Sequence, residues 1–454
     1  MQLPTRVSDF QPIACCNMIY KDYPLVGMQH VLHKLIDESQ TAFVPGHSIS
    51  DNVLLAQELL AGYNRARLPP RCTVKVDFQK AYNSGIRQGD PMCPYLFVIV
   101  MELWHVLLKI RVQNTPNFIY HWKCREVGSL NLCFADDVLV FCSGNPQSVR
   151  VIKCALAEFA ELSGLRANLN KSQIILSRAI REERQTILDD MGFPEGSLPF
   201  AYLRVPLVAS RLKVADCQAL SAKIDNRLAG WGHLNLLFAG RQGSSGRGYA
   251  KMSWLRICSP KKEGRLGIRR VLHLNQALML KQVWRILQED EQSIWVQWVL
   301  IHRLRTQTMW VYHSSTATWC WKKLLKLNTL LLPGLEYRIG DGRKFRLWID
   351  LWHPRGPLIR CFPRGPAITG LPADSLLMAM LHQGQWNWPS EMDFDIQEII
   401  SGLPDLSSQQ SDMITWRLHP GKFTTVGAVA FLHPPSPHVL WHQLLGGKFK
   451  IPRH

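Results

Sequence analysis

An α+β architecture is predicted by three features of this 454-residue chain. Residues 71–78 and 131–142 have strand character, whereas residues 49–63, 94–110 and 152–162 carry apolar side chains at helical spacing. The two kinds alternate within the first 180 residues, as in a mixed sheet-and-helix unit. A helix-rich tract follows, and from about residue 333 prolines, tryptophans and short alternating runs indicate a small strand-containing module.

Residues 28–40 read as a short amphipathic helix running into Thr41-Ala42-Phe43-Val44-Pro45-Gly46-His47. In Ile49–Tyr63, Asp51 is the candidate N-cap and the leucines recur at helical spacing up to Gly62. Arg71–Phe78 alternates like a strand and places Asp77 at its end. The longest apolar stretch, Pro94–Ile110, contains Glu102 and His105 and reads as a buried helix, too short and too polar for a membrane span. Behind Pro146, the residues Ile152, Leu156, Phe159 and Leu162 define a helix, and Gly164 stands where a C-cap belongs. Between residues 200 and 310 the Gly/Ser-rich run Gly240–Gly248 breaks a helical pattern and reads as a linker or exposed loop. Lys344–Ile349 alternates like a strand, and no internal repeat is present.

The chemistry concentrates in Asn131–Cys142, where Asp136 and Asp137 interrupt an apolar run. An ionised side chain flanked on both sides by strand-forming residues needs compensation for its desolvation, and for paired carboxylates a divalent cation is the usual compensator. Two short strands with the acidic pair at the turn between them would present both carboxylates at one sheet edge. Phosphoryl transfer assisted by two metal ions needs carboxylates from separate strands, and Asp77 supplies the third. A lone Asp-Asp pair would be weak, since surface turns often carry one.

Net charge is +18, and it is unevenly spread: residues 1–200 hold 20 Lys/Arg against 19 Asp/Glu, and the remainder hold 33 against 16. Only Trp104 and Trp122 of the 16 tryptophans precede residue 200. Basic residues interleaved with aromatics suit a surface that follows phosphates and stacks bases, although such tryptophans are as often core. Twelve cysteines without a CxxC pair, and no signal-like opening, indicate reduced thiols in an intracellular protein, nuclear or cytoplasmic rather than secreted.

Phe134-Ala135-Asp136-Asp137 resembles the catalytic box of reverse transcriptases, and the order of the neighbouring motifs resembles LINE-type, non-LTR retrotransposon polymerases of the plant kind. Thr41–Asn52 resembles the family's fingers motif, Val76–Tyr82 its first catalytic motif, and Gly85–Pro91 the segment that contacts template and incoming nucleotide. Asn168-Leu169-Asn170-Lys171-Ser172 resembles the next motif, whose lysine approaches the nucleotide phosphates. The resemblance implies Asp77, Asp136 and Asp137 as catalytic carboxylates and ligands of Mg²⁺ or Mn²⁺, and Tyr82 as a gate against the ribose 2′-hydroxyl. It further implies Arg87, Gln88, Gly89 and Lys171 as nucleotide- and template-binding residues, with an RNA template, a DNA primer and deoxynucleoside triphosphates as partners and no membrane. The implied domains are fingers/palm over 1–180, a helical thumb-like region over 181–310, and a C-terminal region over 311–454 resembling the start of the family's zinc-binding module.

The sequence departs from the family in several respects that bear on activity, among them Asn83 where an Asp commonly follows the aromatic gate and a second contraction around residues 232–250. Only Asn83 and Ser84 separate Tyr82 from Gly85, where the family places several dozen residues, and His47 stands where the family usually has arginine. The last residues, Phe449–His454, arrive before any Cys/His cluster, so no zinc site is expected. These departures imply an internally deleted and C-terminally truncated remnant of an RNA-directed DNA polymerase, impaired or inactive. A non-catalytic nucleic-acid-binding protein and a relic without function stand as alternatives.

Overall fold

A computed structural model describes residues 31–32, 34–78, 92–231, 258, 263, 270–305, 307–312, 317–382, 385–388, 402–404, 406, 411–418 and 423–433. The chain divides into two units, residues 1–216 with 289–303 and residues 217–288 with 304–454.

The first unit is built on a four-stranded sheet of order β2-β3-β1-β4, with β1 at Arg71–Asp77, β2 at Asn131–Phe134, β3 at Asp137–Ser143 and β4 at Gln173–Leu176. Every pairing within it is antiparallel. Side chains alternate across a strand, so one face of β1 carries Cys72, Val74 and Val76 and the other carries Arg71, Thr73, Lys75 and Asp77. The apolar face joins Val138, Val140 and Cys142, the cross-strand partners of Val76, Val74 and Cys72, in the main core. Asp77 and its partner Asp137 therefore share the opposite face, where buried Leu139 and Phe141 of β3 also lie.

Two long helices cover the apolar face. Helix α2, Cys93–Gln113, contributes Phe97, Met101, Trp104 and Leu108 to that core, with Pro94 in its first turn. By length and composition this helix could cross a membrane, so it is longer than the apolar run alone suggests, and the side chains just named pack as in a core helix. Helix α3, Pro146–Ser163, starts at Asn145, whose side chain accepts from the Ser148 N–H at 2.8 Å, and stops at Gly164 with φ of +74°. Ile152, Leu156 and Phe159 are buried as the spacing predicts, but Leu162 is 62% exposed because it falls on the outer side of the last turn. Helix α1 spans Ile49–Leu60.

Asp51 is not the N-cap of α1. The cap position belongs to Ser48, whose hydroxyl bonds Ser50 Oγ, and Asp51 lies inside the first turn, buried, where its Oδ2 accepts from Ser293 Oγ at 2.5 Å. Ser293 in turn caps the helix Ile294–Val299, accepting from the Val296 N–H. The returning segment 289–303 is thereby fastened to α1, and the indole N–H of Trp298 donates to the Lys123 carbonyl at 2.9 Å. A hairpin completes the unit, β5 at Phe200–Tyr202 paired with β6 at Val205–Leu207.

In the second unit, helices Gln218–Trp231, Val271–Leu287, Trp319–Leu331 and Thr425–Leu432 accompany strand Leu335–Arg338, which pairs antiparallel with Met413–Trp416. The alternating run Lys344–Ile349 forms no strand. Buried Asp412 accepts the backbone N–H groups of Gly340, Gly342, Lys344 and Phe345, which bends the chain there and removes the donors that a ladder needs. Phe345, Leu347, Trp348 and Ile349 are all buried in the resulting turn. Trp284, Trp321, Trp348, Trp352 and Trp416 are likewise buried, so these tryptophans are core rather than a base-stacking surface. The breaker at Gly240–Gly248 lies outside the described residues.

Candidate active site

The acidic pair straddles the end of a two-residue hairpin loop between β2 and β3. Phe134 pairs with Asp137 across the ladder, leaving Ala135 and Asp136 as the loop, so Asp137 is the first residue of β3 and not a turn residue. Ala135 has φ of +52°, the conformation that two-residue loops matching strand twist require at their first central position, where glycine is the usual occupant. The strained backbone is held by Gln40. Its Oε1 accepts from the N–H groups of Ala135 at 3.1 Å and Ala42 at 3.0 Å, while the chain around it pairs with β2 through Thr41 N–H to Cys133 carbonyl and Cys133 N–H to Ser39 carbonyl.

Asp77 reaches the same place from the end of β1, directly opposite Asp137. Its backbone is fixed by Ser172 and Asn168: the Asp77 N–H donates to Ser172 Oγ at 3.1 Å, and its carbonyl accepts from the Asn168 N–H at 2.7 Å. Both partners belong to the Asn168–Ser172 motif, so that motif positions the carboxylate as well as carrying Lys171. Lys171 Nζ lies 3.9 Å from Asp77 Oδ1 and is mostly exposed, so it forms a loose surface pair that an anion can displace.

The site is electrostatically loaded. Partial burial raises the Asp136 carboxyl above its ordinary range, helped by the charge of Asp77 and opposed by Lys171. Burial likewise raises Asp137, with Asp136 and Asp77 adding to it and Lys75 and Lys171 opposing. Three carboxylates that repel one another in a half-buried place favour any cation that comes between them. Among the described residues, no group of three or more His, Cys, Asp or Glu side chains converges on one metal position. Hard oxygen donors at the ends of the two inner strands nonetheless suit Mg²⁺, which keeps several waters and uses one or two carboxylates rather than a protein cage.

Of the residues expected to serve the site, Asp77, Asp136, Asp137 and Lys171 come together; Tyr82, Arg87, Gln88 and Gly89 lie outside the described residues. His47 is engaged locally, its Nδ1 sitting 2.5 Å from the Gln40 carbonyl oxygen. Two supporting residues escape sequence reasoning. Gln40 precedes the recognisable motif by one position and nothing in its spacing marks it. Asn52 sits at the motif's end, and its Nδ2 donates to the Cys133 carbonyl at 2.8 Å and lies 3.4 Å from the hydroxyl of buried Tyr202, joining α1, β2 and the β5–β6 hairpin behind the loop.

Residues 4–207, somewhat under half of the chain, match the reverse transcriptase (RNA-dependent DNA polymerase) family model. A stretch of 113 residues is 33% identical to a ribonuclease H protein of Arabidopsis thaliana, covering 24% of this chain and 18% of that protein. Another comparison aligns 110 residues at 30% identity with a mitochondrial protein of Arabidopsis thaliana, covering 22% of this chain and 66% of that protein. The chain thus matches less than two thirds of the length of each of these relatives.

Proposed function

We propose that the first unit is a remnant of a LINE-type RNA-directed DNA polymerase that keeps its carboxylate centre and has lost part of its catalytic capacity. The observation that carries this reading is the register pairing Asp77 with Asp137 beside the Ala135-Asp136 loop. Asp77, Asp136 and Asp137 would hold Mg²⁺ or Mn²⁺, which when bound supplies charge stabilisation for phosphoryl transfer. Because Asp136 and Asp137 are raised in pKa, binding of a cation there releases protons as pH falls toward the carboxylate range. Lys171, exposed and only loosely paired, would offset charge on the leaving pyrophosphate. The contraction between Tyr82 and Gly85 removes family sequence from the segment that would carry template and nucleotide contacts, which is why reduced activity is part of the proposal.

Primer extension on an RNA template, with Mg²⁺ or Mn²⁺ and with Asp136→Ala as the control, tests it. Incorporation above the control supports a retained centre, and incorporation equal to the control rejects catalysis. A second reading, nucleic-acid binding without catalysis, is favoured by the net charge of +18. It requires binding that weakens steeply with salt as counterions are released, in the wild type and in Asp136→Ala alike.

A further inference from the structure

A basic groove lies at the far end of the sheet from the carboxylates. It has a volume of about 1000 Å³ and runs between the end of β4, the residues after α1, and the two ends of the β5–β6 hairpin. Leu176 in its wall pairs with Cys72, five residues along β1 from Asp77, which at about 3.3–3.4 Å per residue puts the groove roughly 17 Å from the acidic centre. It is therefore separate from the site described above.

Arg178, Arg181, Arg184, Arg211 and Lys213 line this groove against the acidic residues Glu195 and Asp216. Arg184 is neutralised by Glu195, and Asp216 Oδ2 accepts the Lys213 N–H at 2.7 Å. Among the described residues no carboxylate pairs with Arg178, Arg181 or Arg211, whose side chains are exposed. The groove walls also carry Leu198 and Pro199, which are at least partly exposed, and Leu176, Ile180 and Val208, which are buried beneath. Planar guanidinium forks suit phosphate oxygens, and apolar walls suit the faces of unstacked bases. The volume reaches the top of the range of about 300–1,000 Å³ typical of small-ligand clefts, so it admits more than one nucleotide.

We propose that this groove is a second nucleic-acid site, holding a few nucleotides of a single strand by its phosphodiester backbone through Arg178, Arg181 and Arg211. The choice of ligand rests on the reading of the first unit as a nucleic-acid enzyme, but the site itself does not use the carboxylates. RNA and DNA offer the same backbone phosphates, so both are included as separate arms.

The full chain is treated with phenylglyoxal in the presence and absence of an eight-nucleotide oligo(U) or oligo(dT), and arginine modification is read peptide by peptide by mass spectrometry. Arg178, Arg181 and Arg211 become protected by one or both oligonucleotides, and the protection persists in the Asp77→Ala, Asp136→Ala double variant. In parallel, the triple variant Arg178→Gln, Arg181→Gln, Arg211→Gln binds at least tenfold more weakly at low salt, and its log affinity against log salt flattens by about 2, given a slope of about 0.7 per phosphate contact on single strands. The substituted side chains are exposed, and an unchanged thermal transition verifies that the variant is folded. Equal modification with and without both oligonucleotides overturns the proposal. So does loss of protection in the carboxylate variant, or a triple variant with wild-type affinity and slope. Failure of primer extension leaves each of these results readable.

Discussion

Lys123→Met is expected to stabilise the first unit at neutral pH, although it deletes a hydrogen-bonded cation. Lys123 is buried, with Nζ donating to the Glu58 carbonyl at 2.5 Å and lying 5.3 Å from the centroid of the Trp122 ring. Burial pulls its pKa from 10.5 down to about 8; Glu58 works against that fall, and Arg303 and Arg71 deepen it. Below pH 8 the lysine is charged in both folded and unfolded chains, and the folded state bears the whole penalty. Between 8 and 10.5 the unfolded chain holds more protons than the folded one, so stability rises with pH across that window. The fall from 10.5 to about 8 corresponds to about 3 kcal/mol at about 1.36 kcal/mol per pH unit. Methionine keeps the unbranched stem among the same indoles but loses the bond to the carbonyl, about 1 kcal/mol. A net gain of about 2 kcal/mol at pH 7 follows, fading toward pH 10.5. Urea unfolding followed by tryptophan fluorescence at pH 7 and pH 10 measures it, and with slopes of about 1–3 kcal/mol per M the midpoint at pH 7 moves up by about 1 M. An unchanged or lower midpoint at pH 7, or wild-type stability that does not rise between pH 8 and 10, refutes the reasoning.

Gln40→Leu removes the shared acceptor of the Ala42 and Ala135 N–H groups and is expected to cost about 1–3 kcal/mol, read as a lower urea midpoint, while also weakening Mn²⁺ binding through a loosened acidic loop. Gly334→Ala places a methyl group 2.3 Å from a buried Trp416 ring atom in the second unit; a loss of about 1–3 kcal/mol is expected there, with Mn²⁺ binding by the first unit unchanged. For His105, burial disfavours the charged form, but Nε2 lies 3.1 Å from Asp37 Oδ2 and Nδ1 lies 3.2 Å from Asn131 Oδ1, so its pKa is raised overall. That stabilisation is complete below the ordinary histidine value and is lost as pH rises through the raised one. His105→Gln should therefore flatten the decline of the unfolding midpoint above pH 6.5, and an unchanged decline would exclude the pair as its source.

Local patterns were legible where one short stretch contains its own cause. Helix α3 could be bounded from sequence because Pro146 and Gly164 act on the backbone at its own ends, and β1 because its apolar residues alternate against Thr73, Lys75 and Asp77. Asp51 was misassigned because helix-capping signals are local, whereas its partner Ser293 lies 242 residues away. Lys344–Ile349 failed for the same reason, since the alternation there answers to Asp412, 67 residues beyond Phe345. The tryptophan-rich second half left two readings open, because an indole placed in a core and one placed on a nucleic-acid surface look identical in a count.

The acidic centre divides along the same line. Asp136 and Asp137 stand out in sequence because charge inside an apolar run is costly wherever it occurs. What holds them is invisible at that range: Gln40 fixes the loop across 95 residues, Asn52 reaches Cys133 across 81, and Ser172 anchors Asp77 across 95. The contraction after Tyr82 suggests that the carboxylates have lost their support, yet none of these three supports lies within it. Core packing leads to the same point, since Val74, Val76 and Phe78 before the contraction share a cluster with Phe97, Met101 and Trp104 after it. If the proposed polymerase reading stands, holding the carboxylates and positioning a substrate would be separable tasks, carried by different residues. Nucleotide incorporation should therefore be able to fail while cation binding persists, and titrating Mn²⁺ against the wild type and Asp136→Ala before any polymerase assay is the direct way to detect that.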